Sequence, residues 1–341
     1  FALAGVEQGK FYVLISTAEG NANASAMEVK AALGRLNIAS VMLDGEEKET
    51  REYLLQLHKA KNALAALNNQ RLGLIGEVSE WLVASDIKPE ILESTLGIGL
   101  KKIAWESLPD FKAYDTPASF RDQFSRGMMQ EVEKAGKVYA LLKETAEKEG
   151  FDALTVECFS LVKTRSVSGC LALAKLNHEG IPAACEGDIA SAAGMMLGKE
   201  LIGQNPWMAN IAKIGYEKTL LAHCTISPGL VSDYSIKTHF ETGVGTAIQG
   251  DFISDDITVF RIDETVSRLF VAEGTVVNRP RFASACRTQV EVLFPREAVD
   301  CLRENPLGNH HLVAPGKHKD LILMAARLLN LQVVDGTGVA K

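Results

Sequence analysis

Apolar and polar positions follow two periods over the first two-thirds of the chain. Short apolar blocks at residues 11–15, 39–43, 72–76, 153–156 and 181–184 read as buried strands. Between them, apolar residues recur at helical spacing. Met27, Val29, Leu33 and Leu36 follow a Gly/Asn/Ser loop at 18–25, and Leu54, Leu55, Leu57 and Leu64 lie in a long helix opened by the acidic stretch 44–51. Residues 91–103 read as a short helix running into a strand. Two helices cover 119–149 with a break at Gly136-Lys137, and further helices span 169–176 and 189–202. Strand–helix units repeated in this way predict an α/β fold with a doubly wound, mostly parallel sheet covered on both faces.

The pattern changes after Gly203-Gln204-Asn205-Pro206. Short apolar runs at 207–211, 219–223, 235–240, 257–262, 269–273 and 290–293 are separated by turn residues, which predicts a smaller antiparallel, barrel-like β-rich domain. Helices at 297–303 and 317–329 close the chain. The expected domains are therefore 9–204 (α/β) and 205–335 (β-rich), with a poorly ordered tail from Asp335 to Gly338. The glycines at 97–99 and 243–250 do not sit between a strand and a helix, so they read as turns rather than as a dinucleotide fingerprint.

With 341 residues the chain exceeds what one core usually serves, which supports the two-domain division. A formal charge of −7 argues against nucleic-acid binding, which needs a basic surface. No apolar run approaches the ~18 residues of a membrane span, so no membrane partner is expected. The cysteines Cys158, Cys170, Cys185, Cys224, Cys286 and Cys301 are scattered without C-x-x-C spacing. That suits reduced thiols in a cytoplasm better than a disulfide framework. The first residue, Phe1, is not methionine, as expected of a fragment or a processed chain.

The densest chemistry lies at Cys185-Glu186-Gly187-Asp188, where a predicted buried strand gives way to a small-residue helix. Open α/β folds bind ligands at such strand ends. Glu186 projects from the end of an apolar strand, and a carboxylate there needs a partner or a metal ion. Asp188 has an alternative role as helix N-cap. The candidate imidazoles are His223, His239, His310 and His311. Neighbouring side chains in a strand face opposite ways, so at most one of His310 and His311 reaches a given site. For the strand end at 74–82 two readings stand side by side: Glu77, Ser79 and Trp81 present hydrogen bonds and a flat face to a sugar, or they form a surface loop anchored by Trp81. A Cys224–His223 nucleophilic pair is disfavoured because adjacent strand residues point apart.

From Cys185 through Gly198 the chain resembles the L-fucose isomerase family and, more distantly, L-arabinose isomerase. The resemblance covers about residues 10–333. It places Glu186 as metal ligand and proton-transfer group, and it matches Gly308-Asn309-His310 to the family's C-terminal histidine ligand. The family's second carboxylate falls on Asn210, an amide, so Asp188 or His223 is expected to compensate. His223 matches an arabinose-enzyme ligand more loosely. The implied metal ligands are Glu186, Asn210, His223 and His310, the catalytic groups Glu186 and Asp188, and the substrate contacts Glu77, Ser79, Trp81, Asn210 and His239. The stretch 239–243 also looks like less-characterised members of the family.

The implied activity is aldose–ketose isomerisation of a pentose or 6-deoxyhexose by way of a metal-stabilised enediolate. Hard oxygen ligands with one or two histidines favour Mn²⁺ as the divalent ion. The resemblance further implies a small-molecule sugar substrate and a homo-oligomer, trimeric or hexameric. The alternative is a carbohydrate-binding protein on the same fold with its chemistry altered or lost, a reading that Asn210 favours. The isomerase reading requires Glu186 and His310 to converge across a cleft.

Overall fold

The computed structural model describes residues 5–125 and 127–334. The first half runs β1 (Tyr12–Ser16), α1 (Ala22–Arg35), β2 (Ser40–Asp44), α2 (Lys48–Leu67), β3 (Arg71–Ile75), α3 (Pro89–Leu96), β4 (Gly99–Ile103), α4 (Ala118–Gln123) and α5 (Met129–Glu149). It continues with β5 (Ala153–Val156), α6 (Cys158–Arg165), α7 (Cys170–His178), β6 (Ala183–Cys185) and α8 (Ile189–Ile202). Strands β3 to β6 form a parallel sheet in the order β4-β3-β5-β6. The expected single sheet is divided, because β1 and β2 pair in parallel as a two-stranded sheet of their own. Most of their residues stay half-buried, whereas all four residues of β5 are buried.

The second half comprises β7 (Trp207–Lys213), β8 (Thr219–His223), β9 (Val231–Lys237), β10 (Ala247–Phe252), β11 (Asp256–Ile262), β12 (Arg268–Asn278) and β13 (Thr288–Leu293). It ends with α9 (Arg296–Glu304), β14 (His310–Pro315), α10 (Lys319–Leu328) and β15 (Gln332–Val334). Six antiparallel strands follow one another as β11-β14-β7-β8-β13-β12, and β12 returns to pair with β11, closing a barrel. Closure leaves none of these strands as a free sheet edge. Strands β9 and β10 form a separate hairpin. Among the described residues no helix is long and apolar enough to cross a membrane.

Helix α8 is the layer shared by the parallel sheet and the barrel. A Cβ on its Gly194 would lie 2.6 Å from Leu312 Cδ1, and one on Gly198 would lie 2.9 Å from Phe260 Cζ. Both partners belong to barrel strands, β14 and β11. The small residues of α8 thus let the barrel seat directly on the helix that follows Asp188.

Several local expectations shift. Helix α1 begins at Ala22, inside the expected loop, because the chain reverses at Asn21 with a left-handed φ of 58°. Helix α6 and strand β10 were not anticipated. Strand β10 contains Gly250, one of the glycines expected in a turn. A Cβ on Gly250 would meet Val231 Cγ1 at 2.7 Å, so this glycine permits close hairpin packing. The expected strand at 235–240 is instead β9, which ends at Lys237. The tail from Asp335 to Gly338 lies outside the described residues.

The helix break also moves. It falls between α4 and α5, and Gly136 sits buried inside α5 with Thr116 against it. A Cβ at Gly136 would stand 2.1 Å from Thr116 Cγ2. Gly136→Ala is therefore expected to destabilise the protein by about 1–3 kcal/mol through overpacking. Chemical denaturation measures this; a glycine without that contact would instead gain about 1 kcal/mol from the better helix former.

Candidate functional site

Strand β6 ends at Cys185, and the next two residues turn the chain through left-handed geometry, with φ of 63° at Glu186 and 70° at Gly187. Only glycine fits the second position, since a Cβ there would lie 2.3 Å from the Glu77 carbonyl oxygen. Left-handed backbone at a glutamate costs on the order of 1–3 kcal/mol and persists only where the surroundings hold it. Here the Glu186 carbonyl accepts from Ser79 N–H at 3.0 Å, and Gly187 N–H donates to the Val156 carbonyl at 3.0 Å. The turn delivers the Glu186 carboxylate toward the barrel and places Asp188 at the N-cap of α8. There Asp188 Oδ1 accepts from Ser191 N–H at 2.6 Å.

His310, the first residue of β14, approaches from the barrel side. Its Nε2 lies 3.6 Å from Glu186 Oε1, so the two halves of the chain converge as the isomerase reading requires. His223, the last residue of β8, points Nε2 at the same oxygen from 3.9 Å. One ligand atom from each of Glu186, His223 and His310 lies within 4.8 Å of the other two, a group able to hold a metal ion. The imidazole of His310 is buried, and its Nε2 has no hydrogen-bond partner. A buried nitrogen left open beside a carboxylate and a second imidazole fits a divalent cation with mixed nitrogen and oxygen ligands.

Each imidazole is oriented from behind. His310 Nδ1 bonds to Asp188 Oδ2 at 2.9 Å, the carboxylate–histidine arrangement that fixes a metal ligand's tautomer. His223 Nδ1 bonds to Thr225 Oγ1 at 2.9 Å; in the tautomer that donates this bond, Nε2 presents a lone pair. Glu186 Oε2 accepts from Trp81 Nε1 at 2.7 Å, leaving Oε1 toward the histidines.

The titration behaviour follows from these contacts. Burial alone would lower His310, but Asp188 and the nearby Glu186 outweigh it and hold the imidazole up at about 9. Burial would raise Asp188, but the His310 bond and the Arg261 guanidinium hold it at about 2. Glu186 is likewise held below its ordinary value, with His310 and His223 overcoming burial. His223 is pushed down to about 4 by burial, with the charge of His310 adding to the effect. At neutral pH the metal-free site thus carries a carboxylate, an imidazolium and a neutral imidazole.

The remaining expected residues divide. Trp81 reaches the site, and Ser79 supports it through its backbone. Together Trp81, Phe159, Lys163, Glu186 and Glu241 line a cleft of about 380 Å³. His239 stands behind that cleft: its ring meets Phe159 edge-on at 5.8 Å, and its Nδ1 bonds to Thr242 Oγ1 at 3.0 Å. Glu77 is turned away, paired with Lys102. Asn210 lies directly across from His310 in the β7–β14 ladder, but its amide oxygen accepts from Asn309 and its nitrogen meets Cys286 Sγ at 3.9 Å. Asp188 is a correction to the expected catalytic pair. It is fully buried, with its oxygens engaged by Ser191 and His310, so it orients His310 rather than facing a ligand. Cys224 packs with Cys170 and Cys286 in a buried cluster, so the Cys224–His223 pair is not formed.

Sequence reasoning passed over Arg261, which is buried in β11. Its guanidinium donates to the carbonyls of Leu307 at 2.9 Å, His310 at 2.6 Å and Ala84 at 2.9 Å, and to Ser85 Oγ at 2.8 Å. It also stands 3.7 Å from Asp188 Oδ2. The available signal was a charge inside the apolar run Ile257-Thr258-Val259-Phe260-Arg261-Ile262. Phe159 and Lys163 were missed because α6 itself was not anticipated.

No protein-family model matches the chain. Over 321 residues it is 24% identical to the sulfoquinovose isomerases of Priestia aryabhattai and Priestia megaterium, an alignment covering 86% of this chain and 70% of each relative. A sulfoquinovose isomerase of a Clostridium species is 24% identical over 232 residues, 64% of this chain and 49% of that protein. These relatives are named as sugar isomerases, which supports likeness to that broad group but not to L-fucose isomerase in particular.

Two outcomes test the geometry. Asp188→Asn should weaken Mn²⁺ binding about 10–100-fold by titration calorimetry, once the proton displaced from His310 in each protein is allowed for, because it loosens the hold on His310. A cation at Nε2 must displace the His310 proton, so Mn²⁺ affinity should rise about tenfold per pH unit below about 9 and level off above it. The sign is opposite for the metal-free fold. The folded value of His310 lies above the unfolded one, so its contribution to stability is complete below about 6.5 and is lost as pH rises through about 9.

Proposed function

We propose that this protein interconverts an aldose and a ketose, using Glu186 as the group that moves a proton between adjacent sugar carbons. The observation that carries the reading is the convergence of Glu186, His223 and His310, with a buried open nitrogen, beside a cleft. The naming of the relatives as sugar isomerases supports it.

The C–H next to a sugar carbonyl is too weak an acid to ionise at neutral pH unaided. A divalent ion held by Glu186, His223 and His310, with Mn²⁺ the best match to this donor set, supplies positive charge beside the sugar oxygens. The protein's own residues do the rest. Glu186, ionised and fixed by Trp81 through Oε2, takes the proton at C2 and returns it at C1. His310 and His223 are locked by Asp188 and Thr225, so no side chain must reorganise during the transfer. Trp81 and Phe159, set edge to face with centroids 5.0 Å apart, line the cleft with apolar ring surface.

The substrate we propose is a 6-deoxyhexose bearing an anionic group. Sulfoquinovose, the sugar in the relatives' name, is by its nomenclature a 6-deoxyhexose with a sulfonate. In this cleft the lining cation is Lys163. An anionic substituent can pair with it while the reacting carbons face Glu186.

Incubation of the protein and Mn²⁺ with pentoses, neutral 6-deoxyhexoses and 6-sulfonated hexoses, followed by NMR, should show a ketose forming. Binding of a sugar without any ketose would instead favour the carbohydrate-binding alternative, for which the amide at Asn210 speaks. Lys163→Ala should raise KM about 10-fold or more for the sulfonated sugar, the loss of one charge-assisted contact, and leave KM for neutral sugars unchanged.

A further inference from the structure

Isomerisation of an aldose moves two protons, one between carbons and one between oxygens. Glu186 accounts for the first. For the second, most polar groups near the cluster are already committed. Asp188 is enclosed by Ser191, His310 and Arg261, and the amide of Asn210 is taken up by Asn309 and Cys286. His223 and His310 face Glu186 with the atoms that would hold the cation.

Glu241 remains. It lines the same cleft as Glu186, together with Trp81, Phe159 and Lys163. It sits on the segment joining β9 to β10, and that segment is pinned at both ends. Arg287 donates to the Thr238 carbonyl at 2.8 Å and to Thr238 Oγ1 at 3.2 Å. At the other end Ser168 Oγ donates to the Thr246 carbonyl at 2.7 Å and accepts from Thr246 N–H at 2.8 Å. Gly245 lies against Ser168 so closely that a Cβ would fall 2.6 Å from Ser168 N. Between the pins, Gly243 N–H donates to the His239 carbonyl at 2.9 Å, and His239 Nδ1 bonds to Thr242 Oγ1. The carboxyl is thus carried on a braced turn.

We infer that Glu241 is the second catalytic group of this site, the carboxyl that moves the hydroxyl proton between O2 and O1 of the sugar. The inference rests on the isomerase reading above. When the C2–H bond breaks, its proton goes to Glu186 and its electron pair forms the C1–C2 double bond. The carbonyl oxygen O1 then takes a proton from the Glu241 carboxyl. In the second half the Glu241 carboxylate takes the proton from the O2 hydroxyl, whose bonding pair forms the C2 carbonyl. The electrons of the C1–C2 double bond take the proton from Glu186 at C1. Both carboxyls finish as they began.

Glu241 faces the same cleft as Glu186 from a different segment of the chain, so the two carboxyls can reach different atoms of one sugar. Partial burial, opposed by His239, raises the Glu241 carboxyl above its ordinary value, the direction that suits a proton donor.

The test is Glu241→Gln in the full chain loaded with Mn²⁺, on whichever aldose the parent protein turns over, labelled with deuterium at C2. Glu241→Gln should lower kcat at least about 100-fold, while Mn²⁺ affinity by calorimetry and the melting temperature stay near the parent's. Glu241→Asp should restore part of the rate. With oxygen proton transfer slowed, the enediol persists longer, so the fraction of deuterium lost to water rather than delivered to C1 should rise. A kcat within about threefold of the parent overturns the inference. So does a fall in kcat with unchanged deuterium partition, the mark of a structural role. A parent protein that isomerises none of the sugars overturns both this inference and the isomerase reading, whereas an active parent with an unaffected variant overturns this one alone.

Discussion

The hydrogen bond between His310 Nδ1 and Asp188 Oδ2 joins the two halves of the molecule at the point where the chemistry is concentrated. Asp188 belongs to the α/β half as the N-cap of α8, and His310 opens a barrel strand. Both side chains are fully buried, so neither charge is tolerable alone; removing one partner of such a pair costs about 3–5 kcal/mol. Arg261 supplies the third member and ties the pair to the turn at Leu307 and to the loop at Ala84 and Ser85. A Cβ on Gly308 would lie 2.3 Å from an Arg261 guanidinium nitrogen, so the backbone itself wraps this side chain. The metal-competent face of His310 is therefore set by the same contacts that dock the barrel.

Strain and tight packing gather at this junction. Glu186 is left-handed, Gly187 sits against the Glu77 backbone, and Gly194 and Gly198 bring the barrel onto α8. Each feature moves the end of β6 closer to the barrel or fixes its direction. The cleft walls come from other segments: Trp81 follows β3, Phe159 and Lys163 lie in α6, and Glu241 lies between β9 and β10. The β6–α8 turn and two strand ends hold the candidate cation site, and α6 with two connections lines the cleft beside it. That division lets recognition change while the chemistry at the centre stays in place.

Much of this was readable from the residue pattern because local periodicity and local chemistry agreed. The limits of α8 followed from a carboxylate cap, a stretch of small residues and a closing glycine. Glu186 stands out because a strand-end carboxylate is hard to explain otherwise, and His310 through the resemblance at Gly308-Asn309-His310. What escaped notice depended on distant partners. The division of the parallel sheet turns on how deeply β1 and β2 are buried, which a five-residue apolar run does not encode. Gly136 and Gly250 were read as breaks because a glycine demanded by a neighbour's side chain resembles one demanded by a turn. Asp188 takes the N-cap role its place before Ile189 offers, but the partner of its other oxygen, His310, stands 122 positions away in sequence, so the local pattern leaves a ligand-facing role open. Asn210 falls opposite His310 in the ladder, yet its amide is taken up by neighbours.

The charges also explain why a cation would change the character of this site. In the metal-free protein Glu186, His310, Asp188 and Arg261 alternate negative, positive, negative and positive, so the buried row is balanced and stable without a ligand. A divalent cation held by this cluster would replace a single proton and leave one positive charge in excess in a low-dielectric setting. There an excess charge is far more effective than in water. Negative charge developing on sugar oxygens would restore the balance. The ion pairs that hold His310 and Asp188 are already in place, so little reorganisation would accompany it. On this reading, the network that makes the empty site a sound piece of core is also what makes the loaded site selective for an oxyanion-like transition state over the neutral sugar.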